Sequence, residues 1–316
     1  MCEVLTIGEP MALFVADQEG PLETVDHFTK YVSGSEVNFS VGMSRLGHQV
    51  AYITKMGQDP FGKYINHFLQ GNHIDTRYFT FDNAHTTGFQ LKEKVHTGDP
   101  EVVSFRKNSA AANMELKDLE AISWQSVKHL HVTGIPPALS QSCRDVTYKL
   151  IAMAREHGVT ISFDPNLRPK QWESREKMIE VINDLACRCD LVLPGINEGR
   201  VLLGSDDPNV IADYYLKAGV QTVIVKLGAK GAFVKTQQES FVSAPFKVEK
   251  VVDTVGAGDG FAVGVVSALR EGLSLADAVV RGNAIGALAV MSPGDNDGLP
   301  NKEQLSVYLK KAQKKN

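Results

Sequence analysis

Long hydrophobic runs, a secretory leader, paired metal-binding cysteines and basic blocks are all missing from this sequence, and each absence removes a class of function. No stretch approaches the roughly 18 consecutive apolar residues that cross a bilayer. The opening MCEVLTIGEPMALF has no basic segment ahead of its apolar residues, as a secretory leader would. A cytoplasmic protein without membrane contact is expected. The four cysteines are Cys2, Cys143, Cys187 and Cys189. Only the last two are close, as CRC and not CxxC, so neither a zinc site nor a disulfide framework is expected. Lys and Arg total 33 against 37 Asp and Glu, a formal charge of −4. Before the C-terminal Lys310, Lys311, Lys314 and Lys315 no basic block stands out, so nucleic acid is not an expected partner. No G-x-G-x-x-G follows the first strand-like segment, which argues against a dinucleotide-dependent dehydrogenase. There is also no repeat, low-complexity tract or Pro/Gly/Ser linker, and residues 1–316 read as one domain.

What is present is an alternation of short β-type runs with amphipathic helical stretches. The runs are Val4 to Ile7, Val50 to Ile53, His129 to Val132, Val159 to Phe163, Leu191 to Leu193 and Thr222 to Val225. Such alternation is the signature of an α/β fold with a mostly parallel sheet covered on both faces. The runs end in Gly8 and Glu9, Thr133 and Gly134, Asp164 and Asn166, then Lys226 and Gly228. Open α/β sheets bind ligands beyond the carboxyl ends of their strands, so these positions should ring one crevice. Thr87 to Val95 and Glu101 to Lys107 read as a hairpin around the turn-rich His96 to Pro100. With the extended Phe28 to Val32 they predict a small sheet standing off the main body as a lid, or an antiparallel extension of the main sheet. His129 and His131 read as core residues, Trp124 and Trp172 as packing residues, and Gly282 and Gly286 as a close helix contact.

One segment carries chemistry. In DTVGAGDGF, Asp253 to Phe261, the small residues Gly256, Ala257 and Gly258 let consecutive N–H groups converge at the start of a helical run. Unpaired N–H groups and the helix dipole both favour an anion there. Asp259 is out of place for simple anion binding but suits a base that takes a proton from a hydroxyl attacking phosphorus. It also suits an ordinary acidic residue of a first helical turn, and spacing alone leaves both open.

DTVGAGDGFAVG resembles the C-terminal signature of the PfkB (ribokinase-like) carbohydrate kinases, and GSEVNFSVGMSRLGHQVAYITKMGQDPFG, Gly34 to Gly62, has the character of their N-terminal signature. The similarity runs from about residue 3 to 308. It implies a ribokinase-like three-layer sandwich of one domain, with lid segments at about 10–33 and 86–108. It also implies Mg-ATP as phosphoryl donor and, often, a dimer built through the lids. Asp259 matches the catalytic base, and the amides of Gly256, Ala257 and Gly258 match the anion hole. Lys226, Gly228 and Gly231 in KLGAKG match the nucleotide-binding turn, Asn283 matches a residue beside the adenine, and Asn166 joins the nucleotide set. Asp253, with carbonyls near Thr254 and Ser292, lies where some members bind a monovalent cation. Many members carry N-x-x-E for Mg²⁺ and phosphate. Here the residues are Gly195, Ile196, Asn197 and Glu198, so Glu198 remains in register while Gly195 takes the asparagine's place unless the neighbouring Asn197 substitutes, and Mg²⁺ is expected to be held mainly through ATP and water.

Gly34, Ser35 and Asn38 occupy the places where the family holds sugar hydroxyls, with serine for the second glycine. VVSFRKNSAA, Val102 to Ala111, and DPNLRPKQW, Asp164 to Trp172, resemble segments of 2-keto-3-deoxygluconate kinases. In those, two arginines bind an acidic sugar, and Arg106 and Arg168 match them. Paired guanidiniums suit a carboxylate because each presents a planar fork of donors. Phe105 and Gln90 stand where such kinases often carry tyrosine on the two lid strands. The implied reaction is ATP-dependent phosphorylation of 2-keto-3-deoxygluconate to its 6-phosphate. A fructokinase or ribokinase, and a non-catalytic sugar- or nucleotide-binding regulator, are the alternatives.

Overall fold

The computed structural model describes residues 2–96, 100–292 and 294–313. The expected turn at 97–99 and the ends of the basic cluster at Lys314 and Lys315 lie outside them. In chain order the strands are β1 (Val4–Ile7), β2 (Met11–Glu19), β3 (Phe28–Ser33), β4 (Val50–Gly57), β5 (Asp75–Asp82), β6 (Phe89–Lys94) and β7 (Val102–Phe105). They continue as β8 (His129–Thr133), β9 (Thr160–Asp164), β10 (Leu191–Val192), β11 (Thr222–Lys226), β12 (Ala232–Thr236) and β13 (Ser240–Ser243). The helices are α1 (Ser35–Arg45), α2 (Pro60–Gly71), α3 (Pro136–Leu139), α4 (Gln141–Glu156), α5 (Arg175–Cys187) and α6 (Ile196–Leu203). They end with α7 (Pro208–Lys217), α8 (Ala257–Arg270), α9 (Leu275–Val290) and α10 (Lys302–Gln313).

Nine strands form the main sheet in the order β13-β12-β11-β10-β9-β8-β1-β4-β5. Pairing is parallel from β11 to β5, and β12 and β13 turn back antiparallel at one edge. Residues of β4 are buried along its whole length, because helices cover both faces and neither side of a parallel strand meets water. Alternation sorts its side chains: Ala51 and Ile53 enter the core shared with α4, α5 and α7, whereas Val50, Tyr52 and Met56 enter the core shared with α1, α8 and α9. The result is three layers of helix, sheet and helix.

The second sheet has the order β3-β2-β6-β7. It stands apart from the main sheet and is not an extension of it. β2 leaves directly from the carboxyl end of β1 through Gly8, Glu9 and Pro10, so the small sheet overhangs the edge where the parallel strands end. β3 then leads through Gly34 into α1. Gly34 has φ of +138°, a backbone region that side chains rarely enter, and this bend aims the first turn of α1 under the small sheet.

Helix α8 lies against α9 at a distance only glycine allows. A Cβ on Gly264 would fall 2.6 Å from the Cα of Gly282. That close approach fixes where the first turn of α8, carrying Asp259, meets the strand ends. His129 and His131 both bond the Ser162 hydroxyl inside the core, at 2.8 Å each, and burial drives both imidazoles down to about 3. They are neutral packing residues, as expected, and Trp124 and Trp172 are likewise buried.

Candidate active site

Under the small sheet lies a cleft of about 580 Å³. Its floor is the strand ends and the first turns of α1 and α8. Its roof is the inner face of the small sheet, from which Met11, Leu13, Gln90, Lys92 and Val102 point down. A second cavity of about 410 Å³ lies beyond α8, lined mainly by apolar groups including Pro245, Phe246, Val251 and Val290. The two cavities share Lys226, Thr254 and Gly258.

At this junction sits Asp259. It is the third residue of α8, and Gly256 ahead of it takes φ of +78°. A Cβ on Gly256 would lie 2.4 Å from the Asp295 carbonyl oxygen. Glycine there lets the turn fold back so that the N–H groups starting α8 face the junction. Ser35 donates its hydroxyl to Asp259 Oδ1 at 2.5 Å, and Asn38 donates Nδ2 to Oδ2 at 2.8 Å. Asn166 in turn donates to Ser35 Oγ at 2.7 Å. Burial raises the Asp259 pKa, the Ser35 and Asn38 donors lower it, and the net shift is upward. Charge-assisted bonds of this kind contribute about 1.5–3 kcal/mol each. They hold a buried carboxylate in one orientation on the wall of the cleft, next to Gly258, which lines both cavities.

The cations around the cleft differ in what they are bound to. Lys226 pairs with Asp164 at 2.6 Å. Burial pulls the Lys226 pKa down, but the Asp164 and Glu198 carboxylates outweigh it and raise it overall. Arg106 donates Nε to Glu9 Oε2 at 2.6 Å and places Nη2 at 2.5 Å from the same oxygen. Lys92 meets Asp253 Oδ2 at 2.8 Å. Arg168 alone in the cleft has no carboxylate partner among the described residues. Its Nη1 touches only the carbonyls of Asn166 and Leu167, and its side chain is exposed.

Most residues singled out from sequence converge here. Gly34, Ser35, Asn38, Gln90, Arg106, Asn166, Arg168, Glu198, Lys226, Asp253, Gly256, Gly258 and Asp259 line the cleft, while Gly228, Gly231, Ala257, Asn283 and again Lys226 and Gly258 line the second cavity. Asn283 uses Nδ2 to hold the Ser243 hydroxyl at 3.1 Å and the Ala244 carbonyl at 3.0 Å, and so shapes the cavity wall. Gly286, expected only to pack, also lines that cavity.

Five expectations change. Phe105 does not face the cleft: it stacks on Phe89 at 4.6 Å on the outer side of the small sheet, because it is one residue out of phase with Ser104, the partner of inward-facing Gln90. Arg106 is tied to Glu9 as a buried brace, which leaves Arg168 as the cleft's uncommitted arginine. Asn166 lines the cleft and not the second cavity. The Asp253 carboxylate, expected near a monovalent cation, is occupied by Lys92 and by the Val255 N–H at 3.0 Å. Asn197 does not stand in for the missing N-x-x-E asparagine either, since it lies outside against Arg200.

Glu198 accepts the N–H groups of Gly195 at 2.6 Å and Leu167 at 3.1 Å, and burial raises its pKa. No group of three or more His, Cys, Asp or Glu side chains is arranged to hold a metal among the described residues. Glu198 and Asp164 nevertheless both line the cleft, and carboxylates there fit a hydrated Mg²⁺ carried by a nucleotide and touched through water.

Three ionisable cleft residues escaped the sequence. Lys92 was recoverable, because strand alternation from Gln90 places 92 on the same face. Glu36, whose carboxyl burial raises to about 7, and Asp295, raised by burial to about 6, carry no local sequence signal.

The family model described as pfkB family carbohydrate kinase matches residues 1–302. This chain belongs to that family. It is a carbohydrate kinase, a phosphotransferase with an alcohol acceptor. A 2-dehydro-3-deoxygluconokinase of Bacillus subtilis is 47% identical over 308 residues, covering 97% of this chain and 95% of that protein. The crystal structure of a PfkB protein from Polaromonas sp. JS666 superposes with a TM-score of 0.90 at 43% identity, over 97% of this chain and 99% of the other. An E. coli structure titled as a putative ribokinase II in complex with ATP and Mg²⁺ gives a TM-score of 0.89 at 26% identity, over 98% and 100% of the two chains. No helix among the described residues is long and apolar enough to cross a membrane.

Replacing Arg106 by methionine should strand Glu9, whose side chain is 0% exposed. A loss of about 3–5 kcal/mol in denaturant unfolding is expected, as for a broken buried pair. The double variant with Glu9→Gln should recover part of it. A loss below about 1 kcal/mol would contradict the brace.

Proposed function

We propose that this PfkB-family kinase transfers the γ-phosphoryl group of ATP to 2-keto-3-deoxygluconate, giving the 6-phosphate and ADP. The observation that carries the chemistry is the position of Asp259 in the cleft, one residue from Gly258 at the seam with the second cavity, held by Ser35 and Asn38. The acceptor occupies the cleft under the small sheet, and the nucleotide occupies the apolar cavity walled by Gly228, Gly231 and Asn283. Asp259 accepts the proton of the acceptor hydroxyl as its oxygen attacks the γ-phosphorus and the bond to the ADP oxygen breaks. The amides of Gly256, Ala257 and Gly258 receive the charge on the transferring group, aided by the α8 dipole. Glu198 and Asp164 would hold a nucleotide-bound Mg²⁺ through water, and the ion would supply positive charge that offsets the phosphates. Lys226 is positioned to approach the same phosphates while Asp164 keeps it charged.

Two observations support an acidic acceptor. Arg168 presents an unpaired guanidinium at the cleft, whereas Lys92, Arg106 and Lys226 are already matched by Asp253, Glu9 and Asp164. The Bacillus subtilis relative is named for the same sugar acid. Ser35 and Asn38 lie beside the hydroxyl to be activated and exchange hydrogen bonds with it and with Asp259. Gln90, which bridges the Ser33 and Ser104 hydroxyls, faces the rest of the acceptor from above. A family-type dimer through the lids would cover Phe105, the exposed ring of the Phe14, Phe61, Phe89 and Phe105 cluster.

Across a panel of sugars the purified protein should prefer 2-keto-3-deoxygluconate, and Arg168→Met should lower kcat/KM for the acid about 10- to 100-fold, the worth of one charged hydrogen bond. Neutral sugars should be little affected. Equal or better turnover of ribose or fructose by the unaltered protein would overturn the acidic acceptor. Asp259→Asn should lower kcat about 10²- to 10⁴-fold with nucleotide affinity nearly unchanged. Because burial raises the Asp259 pKa and a base works only when deprotonated, kcat/KM should fall with acid above the ordinary carboxylate range. Unaltered turnover in the asparagine variant would remove Asp259 from the mechanism.

A further inference from the structure

Lys92 belongs to β6, an inner strand of the small sheet, and its alternation with Gln90 sends it down into the cleft. It crosses to Asp253 in the loop just ahead of the α8 turn, with Nζ 2.8 Å from Oδ2 and side chains only 12% and 21% exposed. Asp253 divides its carboxylate between two bodies. Oδ2 takes the ammonium from the small sheet, and Oδ1 takes the Val255 N–H at 3.0 Å, which fixes the approach to Gly256. The hydrogen bonds of Asp253 hold its carboxylate below the usual range against the opposing effect of burial, so the pair stays ionic. Asp295 is the other carboxylate facing this ammonium.

The loop that Lys92 grips is a wall common to the cavities. Thr254 lines the acceptor cleft and the nucleotide cavity, and Val251 lines the nucleotide cavity and a hollow beneath the edge of the small sheet. The Val252 and Asp253 N–H groups rest on the Val290 carbonyl at the end of α9, at 2.8 and 3.4 Å, and Val290 is itself part of the nucleotide cavity. A displacement of the small sheet therefore pulls, through one ion pair, on the segment that shapes the other ligand's site.

We propose that Lys92 is a positioning residue that couples acceptor binding beneath the small sheet to nucleotide binding at the start of α8, through its ion pair with Asp253. The pair is partly shielded from water, so it resists salt screening more than an exposed one. Each ligand that settles the small sheet or the 251–255 loop in its bound position settles the other, and coupling of this kind is reciprocal. This inference rests on the assignment of the two cavities to acceptor and nucleotide, and not on which sugar is the acceptor.

The test is calorimetric titration with a non-hydrolysable ATP analogue, with and without a saturating amount of whichever sugar the unaltered enzyme phosphorylates best. That choice keeps the coupling question separate from the acidic-acceptor reading, which the sugar panel judges by itself. The unaltered protein should bind the analogue more tightly with acceptor present, in the range of about 5- to 150-fold usual for coupled sites. Lys92→Met and Asp253→Asn should each bring that ratio close to one, and the double variant should go no further than either. Lys92→Gln serves as a second removal of the charge, with circular dichroism confirming that each variant folds. A ratio near one in the unaltered protein would overturn the proposal, as would a ratio that survives both substitutions. Loss of the ratio in the Lys92 variants with Asp253→Asn unaffected would also overturn it, by making Lys92 a direct acceptor contact.

Discussion

The hydrogen bonds from Ser35 and Asn38 to Asp259 join the first turn of α1 to the first turn of α8, and the site is built around that junction. An ionised carboxylate buried among apolar helices would protonate or turn away. Two donors from a neighbouring helix oppose the upward pull of burial on its pKa and keep it aimed. Both helices lie in one layer on the same face of the main sheet, and their N-termini point to the edge where β1, β8, β9 and β11 end. The α/β architecture thus brings Asp259, the glycine-rich turn and the strand-end side chains together from separate parts of the chain.

Charge pairing decides which of the surrounding cations remains available. Three of the four carry their own carboxylates, and these pairs brace the cleft: Arg106 with Glu9 at the root of the small sheet, Lys226 with Asp164 at the junction, and Lys92 with Asp253 across the opening. Breaking such partly buried pairs leaves an uncompensated charge, which is why they act as fixed structure. Arg168, at an exposed turn after β9, has no such commitment. Availability, more than the number of arginines, is what makes an acidic acceptor the reading the cleft supports.

Much of this was legible in the sequence because it is carried by local pattern. The runs from Val4, Val50, His129, Leu191 and Thr222 begin where the strands themselves begin, since buried parallel strands appear as short β-branched and apolar runs. The one from Val159 begins a residue later. The Gly-rich turn and Asp259 are contiguous, so the turn and the carboxylate that meet at the cleft could be read together. What escaped depends on contacts between distant segments. Met11–Glu19 and Asp75–Asp82 mix polar and apolar residues along partly exposed strands, and the Ala232–Thr236 and Ser240–Ser243 hairpin lies at a sheet edge. Arg106 looked like a ligand contact because Glu9, 97 positions away, could not be seen to face it. Phe105 was misplaced by one step of strand phase, and one step reverses the face.

The central claim is geometric: acceptor and nucleotide meet at Asp259. A crystal structure of the protein with 2-keto-3-deoxygluconate and a non-hydrolysable ATP analogue tests it most directly. The account predicts the acceptor's terminal hydroxyl within hydrogen-bond distance of Asp259, its carboxylate on Arg168, and the γ-phosphate over the amides of Gly256 to Gly258. A sugar acid bound with its hydroxyl out of reach of Asp259, or a nucleotide whose γ-phosphate lies away from that turn, would contradict it.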